Sequence, residues 1–272
     1  MNLGSDSKNP VSPVAELHAP PAWRTVDFIS DLHLQAGEPA TFEAWRNYLA
    51  QTPADAVFIL GDLFDVWVGD DSAAPVTSGE ALNFEQQCAQ VLQQAAAKRA
   101  LFFMHGNRDF LVGPQFMAQC NCSLLDDPTL LVFAGQRWLL SHGDALCLAD
   151  IDYMKFRAQV RSAQWQQDFL AQPLSKRQAI ARDLRQQSQN QHEQRKLAGT
   201  AFIDVDDAAA RQWLQAAHAQ TLIHGHTHRP ARHDLGDGLQ RLVLSDWDAA
   251  ASPARAEVLR LTSAGLRRIA LA

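Results

Sequence analysis

Seven side chains in this sequence could hold metal: Asp31, His33, Asp62, Asn107, His142, His226 and His228. Each follows a short apolar run. Asp31 and His33 come after Asp27-Phe28-Ile29-Ser30, Asp62 after Ala56-Val57-Phe58-Ile59-Leu60, and Asn107 after Leu101-Phe102-Phe103-Met104. His142 follows Trp138-Leu139-Leu140-Ser141, and His226 and His228 follow Thr221-Leu222-Ile223. Runs of this length read as strands, and the carboxyl ends of strands in open α/β sheets are where ligands gather. Asp, Asn and His without thiolate suit Mn²⁺, Fe²⁺ or Zn²⁺, and the residue types do not choose among them. Asp31 and His33 are two residues apart, so on an extended stretch both would face the same way and chelate one ion, and the same holds for His226 and His228. Seven ligands exceed one tetrahedral site and match two ions sharing a bridging carboxylate. Taken singly, an Asp before a turn is an ordinary turn former and a histidine beside a strand an ordinary core residue; five such junctions in one chain outweigh that reading.

The elements needed to carry these residues are present in alternating order. Strands are expected near 25–30, 56–60, 101–104, 130–133, 137–141 and 221–223, with helices near 40–51, 79–99 and 205–218, a layered α/β arrangement. Leu239–Val243, Glu257–Leu261 and Leu266–Ile269 alternate like short antiparallel strands. Residues 151–198 differ. They are rich in Gln and Arg, place Tyr153, Phe156, Val160 and Trp165 at helical spacing, and read as helices inserted between two strands, with Pro173 separating two of them. The expected organisation is a disordered tail over 1–22, a core of 23–150 and 199–272, and a helical insertion over 151–198.

At 272 residues and 47% hydrophobic, the chain can bury one large core. It has no apolar run long enough for a membrane span and no basic-then-apolar leader, so a soluble cytoplasmic protein is expected. Cys88, Cys120, Cys122 and Cys147 form no Cys-x-x-Cys pair and are expected to be reduced. The insertion carries nine Lys/Arg against four Asp/Glu over 151–199, a net of +5 in a chain whose total is −6. A basic segment on an acidic body either meets an anionic partner (phosphate, lipid headgroup or nucleic acid) or is a solvated helix face.

With Asp-x-His, Gly-Asp-x-x-Asp, Gly-Asn-x-Asp, His and Gly-His-x-His all in order, the chain resembles the calcineurin-like metallophosphoesterases. That resemblance implies an α/β/β/α sandwich with an inserted helical cap. It implies a first ion held by Asp31, His33, Asp62 and His228, a second held by Asp62, Asn107, His142 and His226, and Asp62 as the bridge. Catalysis would fall to Asp62, Asn107, Arg108 and His142. Asp65, Asp109 and Asp144 would orient ligands, and His224 would be structural or supporting. Many members have histidine after Gly-Asn. Here it is Arg108, whose planar fork grips phosphate oxygens but does not donate a proton near neutrality. A leaving group that needs no proton is itself a phosphate, so a diphosphate substrate is expected.

The wider wording of the blocks, including Gly61-Asp62-Leu63-Phe64-Asp65-Val66-Trp67 and His224-Gly225-His226-Thr227-His228-Arg229-Pro230, resembles the UDP-2,3-diacylglucosamine pyrophosphatase family from about Arg24 to Arg268. The implications are two Mn²⁺ per chain, a lipid substrate cleaved at the uridine-side phosphorus, and peripheral contact with the anionic inner membrane rather than nucleic acid. Substrate contacts would come from Asn107, Arg108, Asp150, Ser188, His192, Arg195 and His226, although the chain departs from the family's pattern after Ser188. The cap's apolar Phe156, Val160, Trp165, Phe169 and Leu170 would line an acyl chamber, or pack ordinarily against the body. Alternatives are another dinuclear phosphodiesterase or phosphatase and a metal-free scaffold.

Overall fold

A computed structural model describes residues 14–74, 81–197 and 203–271, with the side chains of 187–197 left aside. The run Ala56–Leu60 (β3) is buried at every position. Its side chains alternate between two cores, because successive residues of a strand face opposite sides of a sheet. Val57 and Ile59 pack under helices α1 (Pro39–Gln51), α2 (Phe84–Ala96) and α3 (Pro114–Cys120). Ala56, Phe58 and Leu60 pack inward against the second sheet. A strand covered on both faces reads as continuous apolar sequence, which is why this one was so legible.

The sheet containing β3 has the order β12(Gly265–Ala270)-β11(Glu257–Thr262)-β2(Thr25–Ile29)-β3-β4(Ala100–Met104)-β5(Ser123–Leu125). The other runs β1(Ala15–His18)-β6(Thr129–Phe133)-β7(Gln136–Leu140)-β8(Thr221–His224)-β10(Leu239–Val243)-β9(Ala231–Gly236). Leu131, Trp138, Leu140 and Ile223 meet Phe28, Phe58 and Met104 between the sheets, while Leu130, Leu139 and Leu222 pack outward on α7 (Asp207–Ala216). The result is the expected α/β/β/α sandwich. β2, β3 and β4 run parallel, as do β7 and β8, so their carboxyl ends emerge together.

One expectation needs correction, and some elements were not anticipated. The tail expected to be disordered over 1–22 contains β1, whose Ala15 to His18 pair in parallel with Thr129 to Val132; residues 1–13 lie outside the described residues. A four-residue strand stabilised by a distant edge leaves little local pattern. α3, β5 and β9 were also not anticipated: α3 has seven residues, too few for helical periodicity, β5 has three, and β9 is a largely exposed strand of sequence Ala-Arg-His-Asp-Leu-Gly. The insertion is three helices, α4 (Ile151–Val160), α5 (Ala163–Leu170) and α6 (Leu174–Leu197). Ser162 caps α5, and Pro173 stands immediately before α6, where its missing N–H costs nothing. The four cysteines are buried free thiols, and among the described residues no helix is long and apolar enough to cross a membrane.

Candidate metal centre

The loops leaving β2, β3, β4, β7 and β8 bring all seven expected ligands into one connected cluster. His33 Nε2 lies 3.1 Å from His228 Nε2, and His228 Nε2 lies 3.3 Å from Asp31 Oδ1. Asp62 Oδ2 stands between two histidines, 4.0 Å from His33 Nε2 and 3.8 Å from His142 Nε2. Asn107 Oδ1 joins the other side, 2.9 Å from His142 Nε2 and 2.8 Å from His226 Nδ1. Ligand atoms of Asp31, His33 and His228 lie within 4.8 Å of one another, as do those of Asp31, Asp62 and His142. By proximity Asp31 belongs to both groups, while Asp62 occupies the middle position that bridging requires.

The backbone reaches this arrangement differently from the sequence expectation. Asp31, His33, Asp62, His226 and His228 have φ of 56°, 48°, 54°, 68° and 54°, all left-handed, not extended. Such residues cost of order 1 kcal/mol each and persist only where surrounding contacts determine them. His226 and His228 accordingly do not face the same way, as the extended reading expected, and their divergence matches the separate assignments the family resemblance implies. Their rings diverge, one toward Asn107 and the other toward Asp31. Asp109 supplies much of the restraint. Fully buried, its carboxylate accepts from the backbone N–H groups of Gly106 at 2.8 Å, Leu63 at 2.7 Å, Asp62 at 3.2 Å and Phe64 at 3.3 Å, splinting the β3 loop to the β4 loop. Gly106 and Gly225 permit the close approach: a Cβ on Gly106 would fall 2.1 Å from Asp62 Oδ1, and one on Gly225 2.3 Å from Asp31 Oδ2.

The donor chemistry fits divalent cations. Burial pushes the His33 and His226 rings down to about 3, so both are neutral at pH 7 with a lone pair to offer. Burial would raise the Asp31 carboxyl, but His228 and then the other nearby histidines hold it well below the carboxylate range. His142 moves up to about 9: burial pulls it down, but the Asp62, Asp31 and Asp144 carboxylates outweigh that. Asp62 is raised, first by burial and then by the Asp31 carboxylate, against the opposing pull of His142 and Arg108. Nitrogen and oxygen donors without thiolate are the set that borderline divalent metals accept.

Arg108 is part-buried beside these ligands. Its backbone N–H donates to Asp62 Oδ1 at 2.8 Å, and its charge acts on both Asp62 and His33. His224 is not a ligand. It is fully buried, its Nδ1 lies 2.9 Å from the Gly225 carbonyl, and burial lowers it to about 4. Asp150 caps α4 through the Tyr153 N–H at 3.2 Å, while the side chains of Ser188, His192 and Arg195 lie outside the described residues.

The insertion does something the sequence concealed. Of its basic residues, Arg157 binds Asp144, Arg177 binds Asp71 and Arg185 binds Asp65, all carboxylates of the body. Much of the positive surplus therefore faces inward, and Tyr153, expected only as part of an apolar stripe, donates to Asp144. The one sequence signal for these ties was the opposite charge of insertion and body. Nor do the five proposed chamber residues line the described cavity between α6 and the β2 and β3 loops, about 320 Å³ in volume; Leu34, Phe64, Val66, Val68, Ala181 and Arg185 do. Val160 and Phe169 are buried, Trp165 packs on the body core, and Phe156 and Leu170 are exposed.

Residues 24–230 match the family model described as calcineurin-like phosphoesterase. A Chromobacterium violaceum protein named UDP-2,3-diacylglucosamine hydrolase is 45% identical over 90% of this chain and 98% of its own length. One of the same name from Chromohalobacter salexigens is 42% identical over 82% of this chain and 89% of its own.

Proposed function

The chain belongs to the calcineurin-like phosphoesterases and is a metal-dependent hydrolase, and from that premise we propose that it hydrolyses the diphosphate of UDP-2,3-diacylglucosamine. Water would attack the uridine-side phosphorus, giving UMP and 2,3-diacylglucosamine 1-phosphate, a step of lipid A biosynthesis. The observation that carries the hydrolytic reading is the unbroken cluster of seven ligand side chains drawn from five strand ends. The relatives' names at 41–45% identity support the substrate.

Asp31, His33, Asp62 and His228 would hold one ion, and Asp62, Asn107, His142 and His226 the other, with manganese taken from the family resemblance. Two bound cations would neutralise phosphoryl oxygens and supply a water nucleophile at neutral pH. The protein's own groups do the rest. Asp62, fixed by the Arg108 N–H, keeps the two halves of the site in register. The Arg108 guanidinium, always charged and forked, grips the diphosphate and leaves the departing phosphate to go without a proton. Asn107 and His226, touching through Asn107 Oδ1, would also contact substrate, as would Asp150, Ser188, His192 and Arg195. The acyl chains would enter between cap and body, where the cavity of about 320 Å³ places apolar Leu34, Phe64, Val66 and Val68 opposite α6.

A lipid substrate requires access to a bilayer, so the reading includes peripheral residence at the cytoplasmic face of the inner membrane. Exposed Leu148, Ile151, Phe156 and Leu170 on or beside α4 and α5 support it. The test is hydrolysis of UDP-2,3-diacylglucosamine in ¹⁸O-water with Mn²⁺, beside cyclic dinucleotides and phosphoserine peptides. UMP release from the lipid alone, with the label in UMP, is expected. Label in the sugar phosphate would reverse the assignment of the attacked phosphorus, and equal turnover of the other substrates would remove the substrate assignment.

A further inference from the structure

The loops that carry the ligands are held from two sides, and one side is the cap. Asp144, two residues past His142 and fully buried, receives the Tyr153 hydroxyl at 2.5 Å and Arg157 Nε at 2.8 Å on the same Oδ2. Arg161, at the carboxyl end of α4, lies 3.8 Å from that oxygen and donates Nη2 to the Gly106 carbonyl at 2.8 Å. Its guanidinium is steadied over the Phe110 ring at 5.3 Å. One cap residue thus touches the peptide that leads into Asn107 and the carboxylate that follows His142. The Tyr153 ring lies against His226, with centroids 5.9 Å apart.

Asn107, His142 and His226 are the non-bridging ligands expected for the second ion. Those of the first are held otherwise: Asp31 by Ser30 and the His226 N–H, His33 and His228 by each other and by Asp31 and Asp62. The Gly106 turn has no slack, since an added Cβ there would meet Asp62 at 2.1 Å. A displaced Gly106 carbonyl must therefore carry Asn107 with it. We propose that Arg161 is a positioning residue for the second ion's ligands, which makes the first cap helix a structural part of the metal centre as well as a cover over the substrate.

The inference rests on the two-ion reading, and its test separates the two. The full chain, stripped of metal, is titrated with Mn²⁺ alone and followed by calorimetry and electron paramagnetic resonance, with no substrate present. Wild-type protein is expected to take up two ions with a spin-coupled signal. In Arg161→Ala the second ion should bind about 10- to 100-fold more weakly, the range found when groups that orient metal ligands are removed, while the first binds as before. Arg161→Lys, which keeps a charged donor, should recover part of the loss, and Tyr153→Phe should move the second ion in the same direction by less. Second-ion affinity in Arg161→Ala equal to wild type overturns the proposal. If that variant does not fold, an unchanged second-ion affinity in Tyr153→Phe overturns it. Wild-type protein that binds only one ion would remove the two-ion reading and this inference together.

Discussion

The strand-end loops and the three-helix cap sit against each other on opposite terms. In the loops, two buried carboxylates, the part-buried His33 and His226 and the exposed His228 occupy left-handed backbone, and the glycines between them leave no room for a methyl group. In the cap, α4 has a single buried residue, Val160, and attachment to the body combines arginines reaching carboxylates with Phe169, Trp165, Leu174 and Ile180 packed on the body core. The ligand loops are fixed by packing and backbone hydrogen bonds that leave no room to shift, whereas the cap is joined to the body by ion pairs and a smaller apolar contact.

That contrast can be broken from the loop side first. Asp62→Ala removes the central carboxylate and should lower turnover more than about a thousandfold, roughly 4 kcal/mol of transition-state stabilisation; near-normal kcat in a steady-state assay would end the two-ion mechanism. Arg108→Ala should cost about a hundredfold in turnover, roughly 2.7 kcal/mol, while retaining metal, because the tie to Asp62 comes from the backbone N–H. Metal content measured alongside kcat checks both halves of that statement. Gly106→Ala forces a Cβ against Asp62 backbone and side chain and should destabilise the fold by about 1–3 kcal/mol, as overpacking does. A melting temperature equal to wild type would show that the loop can yield.

Proton linkage sharpens the picture further. In the metal-free protein His142 titrates at about 9, with burial opposed by the Asp62, Asp31 and Asp144 carboxylates. A cation needs the neutral ring, so below that pH uptake must release a proton, and affinity should rise as the pH rises toward 9. Calorimetry in buffers of different ionisation enthalpy reads the released proton directly, and buffer-independent heats would contradict it. The smallest effect is expected on the cap: Phe156→Ser, at a position 36% exposed, should change stability by less than about 0.5 kcal/mol. A chemical denaturation midpoint within error of wild type, together with weaker binding to anionic vesicles, would fit an exposed membrane-facing role.

The difference between the two regions also explains what could be read beforehand. β3 was recognisable because it is buried on both faces and therefore apolar throughout, and Asp62 was recognisable because it ends that run. β1 was not, since its four residues gain their order from pairing with Thr129–Val132, more than a hundred positions away. Tyr153 and Arg161 were hidden for a related reason: at helical spacing a tyrosine reads as packing and an arginine as solvated surface, and neither names the carbonyl or carboxylate it will meet.

The sequence by itself determined the alternating α/β order, the seven candidate ligands at strand ends and the position of Arg108, because strand burial and ligand chemistry are written in residue type and local order; the sandwich came with the family resemblance those motifs carry. Only the tertiary structure decided that five of these candidate ligands sit in left-handed backbone, so that His226 and His228 face apart, and that the cap's arginines turn inward. Those outcomes depend on contacts between segments far apart in the chain, whose energies no local pattern contains.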